Sequence, residues 1–269
     1  MKKLFVFSDV HSFYEQLQAG LQAAAFDVND ADHILVSCGD LCDRGDGSVE
    51  VLDFLNGIPA ERKICIAGNH EVLMEDAIRR GYLESYDLHN MTDKTIQQLT
   101  GMPGQDPLAL YKMKKDRRWT EYRKHWRWYF ETKHYIFLHG WLPCQMEIGW
   151  YAITAEKYDP NWRKASYQEW ENAVWINGMD AWNRGIREQG KTVVCGHVHS
   201  SWGNAYLHQD GQEYPEDGRD TYVNYDPFID EGIVSLDSCT MLSGRVNVQV
   251  IELSDAEWQE ALENNSSFR

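Results

Sequence analysis

Apolar residues follow two rhythms along the first seventy positions. Leu4 to Ser8 is a continuous apolar run, the pattern of a buried parallel strand. Ser12 with Glu15 gives a capping-box signal, and Phe13, Leu17, Leu21 and Ala24 then recur at helical spacing. Ile34 to Cys38 predicts a second strand, Val49, Leu52, Phe54 and Leu55 a helix, and Ile64 to Ala67 a third strand. This βαβαβ order predicts a parallel sheet with right-handed crossovers. Further strands are expected at Tyr135 to Leu138, Thr192 to Cys195, Ile233 to Leu236 and Val246 to Ile251. Helical insertions are expected at about 72–133 and 145–190, with Trp119, Tyr122, Trp126, Tyr129 and Phe130 on one helical face. Residues 208–232 read as a long surface loop, Ser254 with Glu257 caps a last short helix, and Asn264 to Arg269 is expected to fray. No repeat, low-complexity tract or linker divides the chain, so residues 1–269 read as one domain.

Composition narrows the class. The 269 residues are 43% apolar, which suits a globular fold with a sizeable core. The formal charge of −16 argues against binding long nucleic acids, which relies on Lys and Arg to displace counterions. The six cysteines are dispersed, so a reducing compartment is expected, and Cys38-x-x-x-Cys42 has no second pair to complete a zinc site. The apolar run at the start stops at Asp9, too short for a signal peptide, and no stretch approaches the ~20 apolar residues of a membrane span. No membrane partner is expected, and the cytoplasm is the expected location.

Five polar clusters share one placement, each directly after an apolar run. They are Asp9-Val10-His11, Gly39-Asp40-Leu41-Cys42-Asp43-Arg44-Gly45, Gly68-Asn69-His70-Glu71, His139-Gly140 and Gly196-His197-Val198-His199. The carboxyl ends of parallel strands point into one crevice, so five segments would deliver polar residues to one place. Asp, His and Asn are ligands for first-row divalent metals. Asp9/His11 and His197/His199 are i, i+2 pairs, which share one side of an extended chain. Asp40 has two oxygens with which to bridge two ions. Taken singly, Asp-x-His or His-Gly is weak; all five in this order are specific.

In these motifs the sequence resembles the calcineurin-like metallophosphoesterases, over roughly Leu4 to Leu253. Gly-Asp-x-x-Asp-Arg-Gly and Gly-Asn-His-Glu are similar to the PPP-type serine/threonine phosphatases of bacteria and bacteriophages. The resemblance implies a four-layer α/β/β/α sandwich around two divalent metal ions, manganese first, with iron or zinc as alternatives. One ion would take Asp9, His11 and Asp40, with His199 a further candidate. The other would take Asp40, Asn69, His139 and His197. The second histidine of Gly-His-x-His departs from the PPP pattern and fits the broader superfamily. The resemblance also implies that His70 is the general acid and that Asp43 orients it. Arg44 binds phosphate through its planar fork, or forms a structural salt bridge. Arg184 would be a second phosphate-binding arginine, with Arg187 competing.

Two ions can clamp the oxygens of an in-line displacement and acidify a bridging water, giving the hydroxide nucleophile. The substrate would be a phosphate monoester, either phosphoserine or phosphothreonine in a protein or a small phosphoester. A symmetrical dinucleoside tetraphosphate hydrolase is the alternative, a phosphodiesterase a third, and a non-catalytic scaffold a fourth. Asp43 and Glu71 lean away from the tetraphosphate reading. Ten of eleven tryptophans between Trp119 and Trp202, and eight Lys and Arg within 112–127, lean toward it. Those tryptophans also suit core packing, and those charges suit a solvated helix face or pairing with the acidic stretch 210–231.

Overall fold

The computed structural model describes residues 1–149, 153–210, 212–213 and 221–265. Two five-stranded sheets dominate it. The first has the order Val248–Leu253, Lys2–Phe7, His33–Ser37, Lys63–Ile66, Trp126–Arg127. Its last four strands run parallel, and Val248–Leu253 closes the edge antiparallel to Lys2–Phe7. The second sheet has the order Phe228–Asp230, Ile233–Ser235, Thr192–Cys195, Tyr135–Phe137, Phe130–Glu131. Its three inner strands are parallel and its two outer ones antiparallel.

Alternation along the strands divides the core into three layers. Leu4 and Val6 face the second sheet and pack with Phe137, Val194 and Val234. Phe5 and Phe7 face the other way, under helices Tyr14–Ala23 and Ser48–Gly57. On the far side, Ile136, Val193 and Ile233 pack under Trp141, Trp162, Trp170 and Trp182. Three apolar layers between helix, sheet, sheet and helix make the α/β/β/α sandwich. The sandwich brings the carboxyl ends of six parallel strands, three from each sheet, to one rim.

Several local expectations are corrected. Ser12 does not cap the first helix: Phe13 is its N-cap residue, and Ser12 Oγ lies 2.7 Å from Ser48 Oγ. The aromatic helical face at 119–130 is broken. Helix Arg117–Arg123 ends before Trp126, and Trp126–Arg127 and Phe130–Glu131 are edge strands, one in each sheet. The basic stretch is two helices, Pro107–Met113 and Arg117–Arg123, because Asp116 caps the second by accepting from Arg118 N and Trp119 N. Three of its charges pair at home, Arg118 with Asp53, Arg123 with Glu75 and Lys124 with Glu121. In the second insertion, Cys144–Ile148 and Ile153–Tyr158 form an antiparallel hairpin before two short helices, Tyr167–Ala173 and Gly178–Asn183. Within 208–232, Phe228–Asp230 is a sheet strand; residues 211 and 214–220, and the tail 266–269, lie outside the described residues.

Candidate metal centre

Six strands end at the rim in polar residues. Asp9 and His11 follow Lys2–Phe7, Asp40 follows His33–Ser37, and Asn69 follows Lys63–Ile66. His139 follows Tyr135–Phe137, His197 follows Thr192–Cys195, and Asp237 follows Ile233–Ser235. The turns there are strained. Asp9, His11, Asp40, Asp43, Arg44 and His197 all have φ between 50° and 72°, a region that non-glycine residues seldom adopt. Backbone bonds lock the turns together: Asp9 N donates to Gly39 O at 3.1 Å and His11 N to Asp40 O at 3.0 Å.

Two groups of potential ligand atoms converge, His11, Asp40 and His70 in one and Asp40, His139 and His197 in the other. Asp40 belongs to both, with Oδ2 3.8 Å from His11 Nε2 and Oδ1 3.4 Å from His139 Nε2. Asn69 Oδ1 joins the second group, 2.8 Å from His139 Nε2 and 2.9 Å from His197 Nδ1. Asp9 joins the first, with Oδ1 3.9 Å from His11 Nε2. Each ring is oriented by a backbone carbonyl: His139 Nδ1 by Cys38 O at 2.7 Å, His11 Nδ1 by Cys42 O at 3.1 Å, His197 Nε2 by Trp175 O at 3.1 Å. Such outer bonds fix the ring and its tautomer for ligation.

The electrostatics are those of a cation site. Burial, the Asp237 carboxylate and Asp40 push the Asp9 carboxyl well up. Burial also raises the Asp40 carboxyl, but His139 and His70 outweigh it and hold the group well below its usual range. Burial and His70 press His11 well down; burial and His139 press His197 down to about 3. Burial opposes charge on His139, yet Asp40 carries it up to about 10. A buried carboxylate, Asp40, between imidazoles held neutral at His11 and His197 is part of a donor set that a divalent cation satisfies. The backbone leaves room for them: a Cβ on Gly68 would collide with Asp40 Oδ1, and one on Gly196 with Asp9 Oδ2.

His70 stands beside this cluster with Nδ1 2.7 Å from Asp43 Oδ2. Burial lowers its pKa, but Asp40 and Asp43 prevail and raise it. Arg44 Nη2 lies 3.3 Å from His70 Nε2. Arg184 and Arg187 stand apart from both groups; His199 belongs to neither, though it lies near enough to Asp237 to oppose the rise that burial gives that carboxyl. His199 Nδ1 hydrogen-bonds Ser201 Oγ at 2.6 Å. Arg184 is exposed and pairs with Asp180 at 2.8 Å, and Arg187 packs its guanidinium over the Trp182 ring at 4.1 Å.

Four contributors were not read from the sequence as site residues. Glu71 accepts from the backbone N–H of Asp40 and Gly68, each at 2.8 Å, and of Leu41 at 3.0 Å, so one carboxylate ties two metal-site turns. Asp237 follows an apolar run as the other five clusters do, and that signal could have found it. Thr92 and Thr95, on helix Thr92–Thr100, donate to Asp43 at 3.0 and 2.7 Å. Nothing in their spacing marks them.

The calcineurin-like phosphoesterase family model matches residues 2–206. The chain belongs to that family. It is therefore a phosphoric ester hydrolase of a family dependent on a dinuclear metal centre, and the rim holds candidate His and Asp ligands for one. Among solved structures, it is similar to a cold-active protein-tyrosine phosphatase of a psychrophilic Shewanella species. That likeness has a TM-score of 0.55 at 14% identity and covers 94% of this chain and 76% of the other. A protein serine/threonine phosphatase of Saccharomyces cerevisiae matches at a TM-score of 0.46 and 13% identity, over 94% of this phosphoesterase and 82% of that chain. At these identities the first likeness bears on fold alone. No curated protein matches the sequence. Among the described residues no helix is long and apolar enough to cross a membrane.

Proposed function

We propose that this phosphoesterase hydrolyses phosphate monoesters, phosphoserine and phosphothreonine of proteins among them, with two divalent ions, manganese first. Asp9, His11 and Asp40 would hold one ion; Asp40, Asn69, His139 and His197 would hold the other. When bound, the ions supply positive charge for the phosphate oxygens and an acidified water. Arg44 binds a substrate oxygen, and His70 gives a proton to the leaving oxygen. The reading is carried by one observation: buried His70 hydrogen-bonds Asp43 through Nδ1 at 2.7 Å, which leaves Nε2 for the ester. Arg44 Nη2, 3.3 Å from that Nε2, sits where one phosphate can meet both.

The test uses Mn²⁺-loaded protein and three substrates: p-nitrophenyl phosphate, bis-p-nitrophenyl phosphate and diadenosine tetraphosphate. The monoester should be turned over fastest, and His70→Asn should lower its kcat by roughly 10²–10⁴. Faster turnover of either other substrate, or an undiminished rate in His70→Asn, overturns the reading.

A further inference from the structure

A cavity of about 480 Å³ lies against the turn that carries Asn69 and His70, with Ala67 and Val72 on either side of that turn in its wall. Trp126, Trp128 and Tyr167 bring partly exposed rings to the lining, and buried Trp170 backs Trp128. Trp128 and Trp170 are parallel, with centroids 6.2 Å apart, and Tyr167 meets Trp128 edge-on at 5.2 Å. Arg123, Arg127, Arg163 and Lys164 bring four cations to the lining, against one carboxylate, Glu75. Arg123 is engaged by Glu75, and Arg163 by Glu131 and Glu188. Lys164 is exposed and forms no recorded ion pair among the described residues. The indole N–H of Trp126 is buried without a hydrogen-bond partner, a deficit that an acceptor on an occupant would remove.

We propose that this cavity binds a nucleoside phosphate, its base stacked on the Trp128–Trp170 wall and its phosphate against Lys164 and Arg127. A flat π-system is what tryptophan faces hold, largely irrespective of which base it is. A cluster of cations in a chain of net charge −16 selects an anion. Phosphoserine or phosphothreonine would meet the cations and leave the wall unused, and an uncharged aromatic would do the reverse. A cavity of this size suits one nucleotide unit. The inference deepens the phosphoesterase reading, on which it rests only where the nucleotide is taken as part of the substrate.

Calorimetry on the full-length, Mn²⁺-loaded protein compares AMP, adenosine and orthophosphate. AMP should bind at least about tenfold more tightly than orthophosphate or adenosine. Trp128→Ala and the exposed Lys164→Glu should each remove most of AMP's advantage while leaving p-nitrophenyl phosphate hydrolysis within about twofold, and Trp128→Ala should leave orthophosphate affinity within about twofold as well. Competitive inhibition of hydrolysis by AMP makes the nucleotide part of the substrate; binding without competition makes it a separate effector, and the pocket stands in both cases. If AMP has no advantage over orthophosphate, or keeps it in both variants, the pocket assignment is wrong even when hydrolysis is intact. If AMP binds through the pocket and no phosphate ester is turned over, the pocket stands and the hydrolase reading falls.

Discussion

Asp43 shows how much of this site is made by groups outside the two clusters of potential ligand atoms. Its carboxylate accepts from Thr95 Oγ1 at 2.7 Å, Thr92 Oγ1 at 3.0 Å and His70 Nδ1 at 2.7 Å, and its own N–H donates to Thr95 Oγ1 at 2.8 Å. Thr95 therefore fixes both the backbone and the side chain of the residue that aims His70. Thr95→Val keeps the shape and deletes the hydroxyl, which leaves a buried N–H and part of a carboxylate unmet. It should cost about 1–3 kcal/mol in urea unfolding and lower kcat about tenfold with little change in KM, while Thr95→Ser restores both. The ligand-type residues were legible because strand-end Asp, His and Asn residues are chemically conspicuous. Thr92 and Thr95 were not, since a hydroxyl on a helix some fifty residues away carries no mark of what it will bond. Arg184 shows the opposite case: its motif is suggestive, yet the side chain is exposed and pairs with Asp180.

Among the elements, the seven strands read from apolar runs form within two residues of their expected bounds; six are parallel, and a buried parallel strand leaves a continuous apolar signature. The 119–130 stretch misled because its aromatics suit a helix face and an edge strand equally. Asp116 and the sheet edges decided the matter, and both are contributions of tertiary context. Capping was legible only where a helix begins on a free turn. Ser254 accepts from Glu257 N at 3.2 Å, and the Glu257 carboxylate accepts from Ser254 N at 3.0 Å. Ser12 instead turns to Ser48 beside the metal-site loops. Helix Asp255–Asn264 seats Trp258 in the inter-sheet core, 5.7 Å from Phe130. Ser254→Ala should therefore lower global stability by about 1 kcal/mol in thermal or urea unfolding rather than only fray the helix.

For the whole molecule, one half-buried ionic network ties the second sheet's edge to the tryptophan layer. Glu131 takes Arg163 at 2.5 Å and Lys191 at 2.7 Å, and Glu188 takes Arg163 at 3.0 Å. Burial opposes charge on Glu131, but Arg163 and Lys191 prevail and hold its carboxyl below the ordinary value of 4.5. A depressed acid stabilises the fold above its unfolded pKa and ceases to do so as pH falls through the folded one. Unfolding midpoints should thus fall steeply below pH 4.5, and Glu131→Gln should flatten that fall, as urea titrations from pH 7 to 3 would register.

The first sheet is closed by pairing Lys2 with Leu253, almost the full length of the chain apart. On the ribosome, the opening strand emerges early and keeps one edge bare until its partner is made. At ~5–20 residues per second that interval lasts on the order of ten to fifty seconds. Throughout it, the Asp9 turn lies next to an unfinished sheet, and the opening strand is free to pair with another nascent chain. Lys2–Phe7 is thus exposed to strand-pairing aggregation during synthesis, and that exposure ends only when Val248–Leu253 docks.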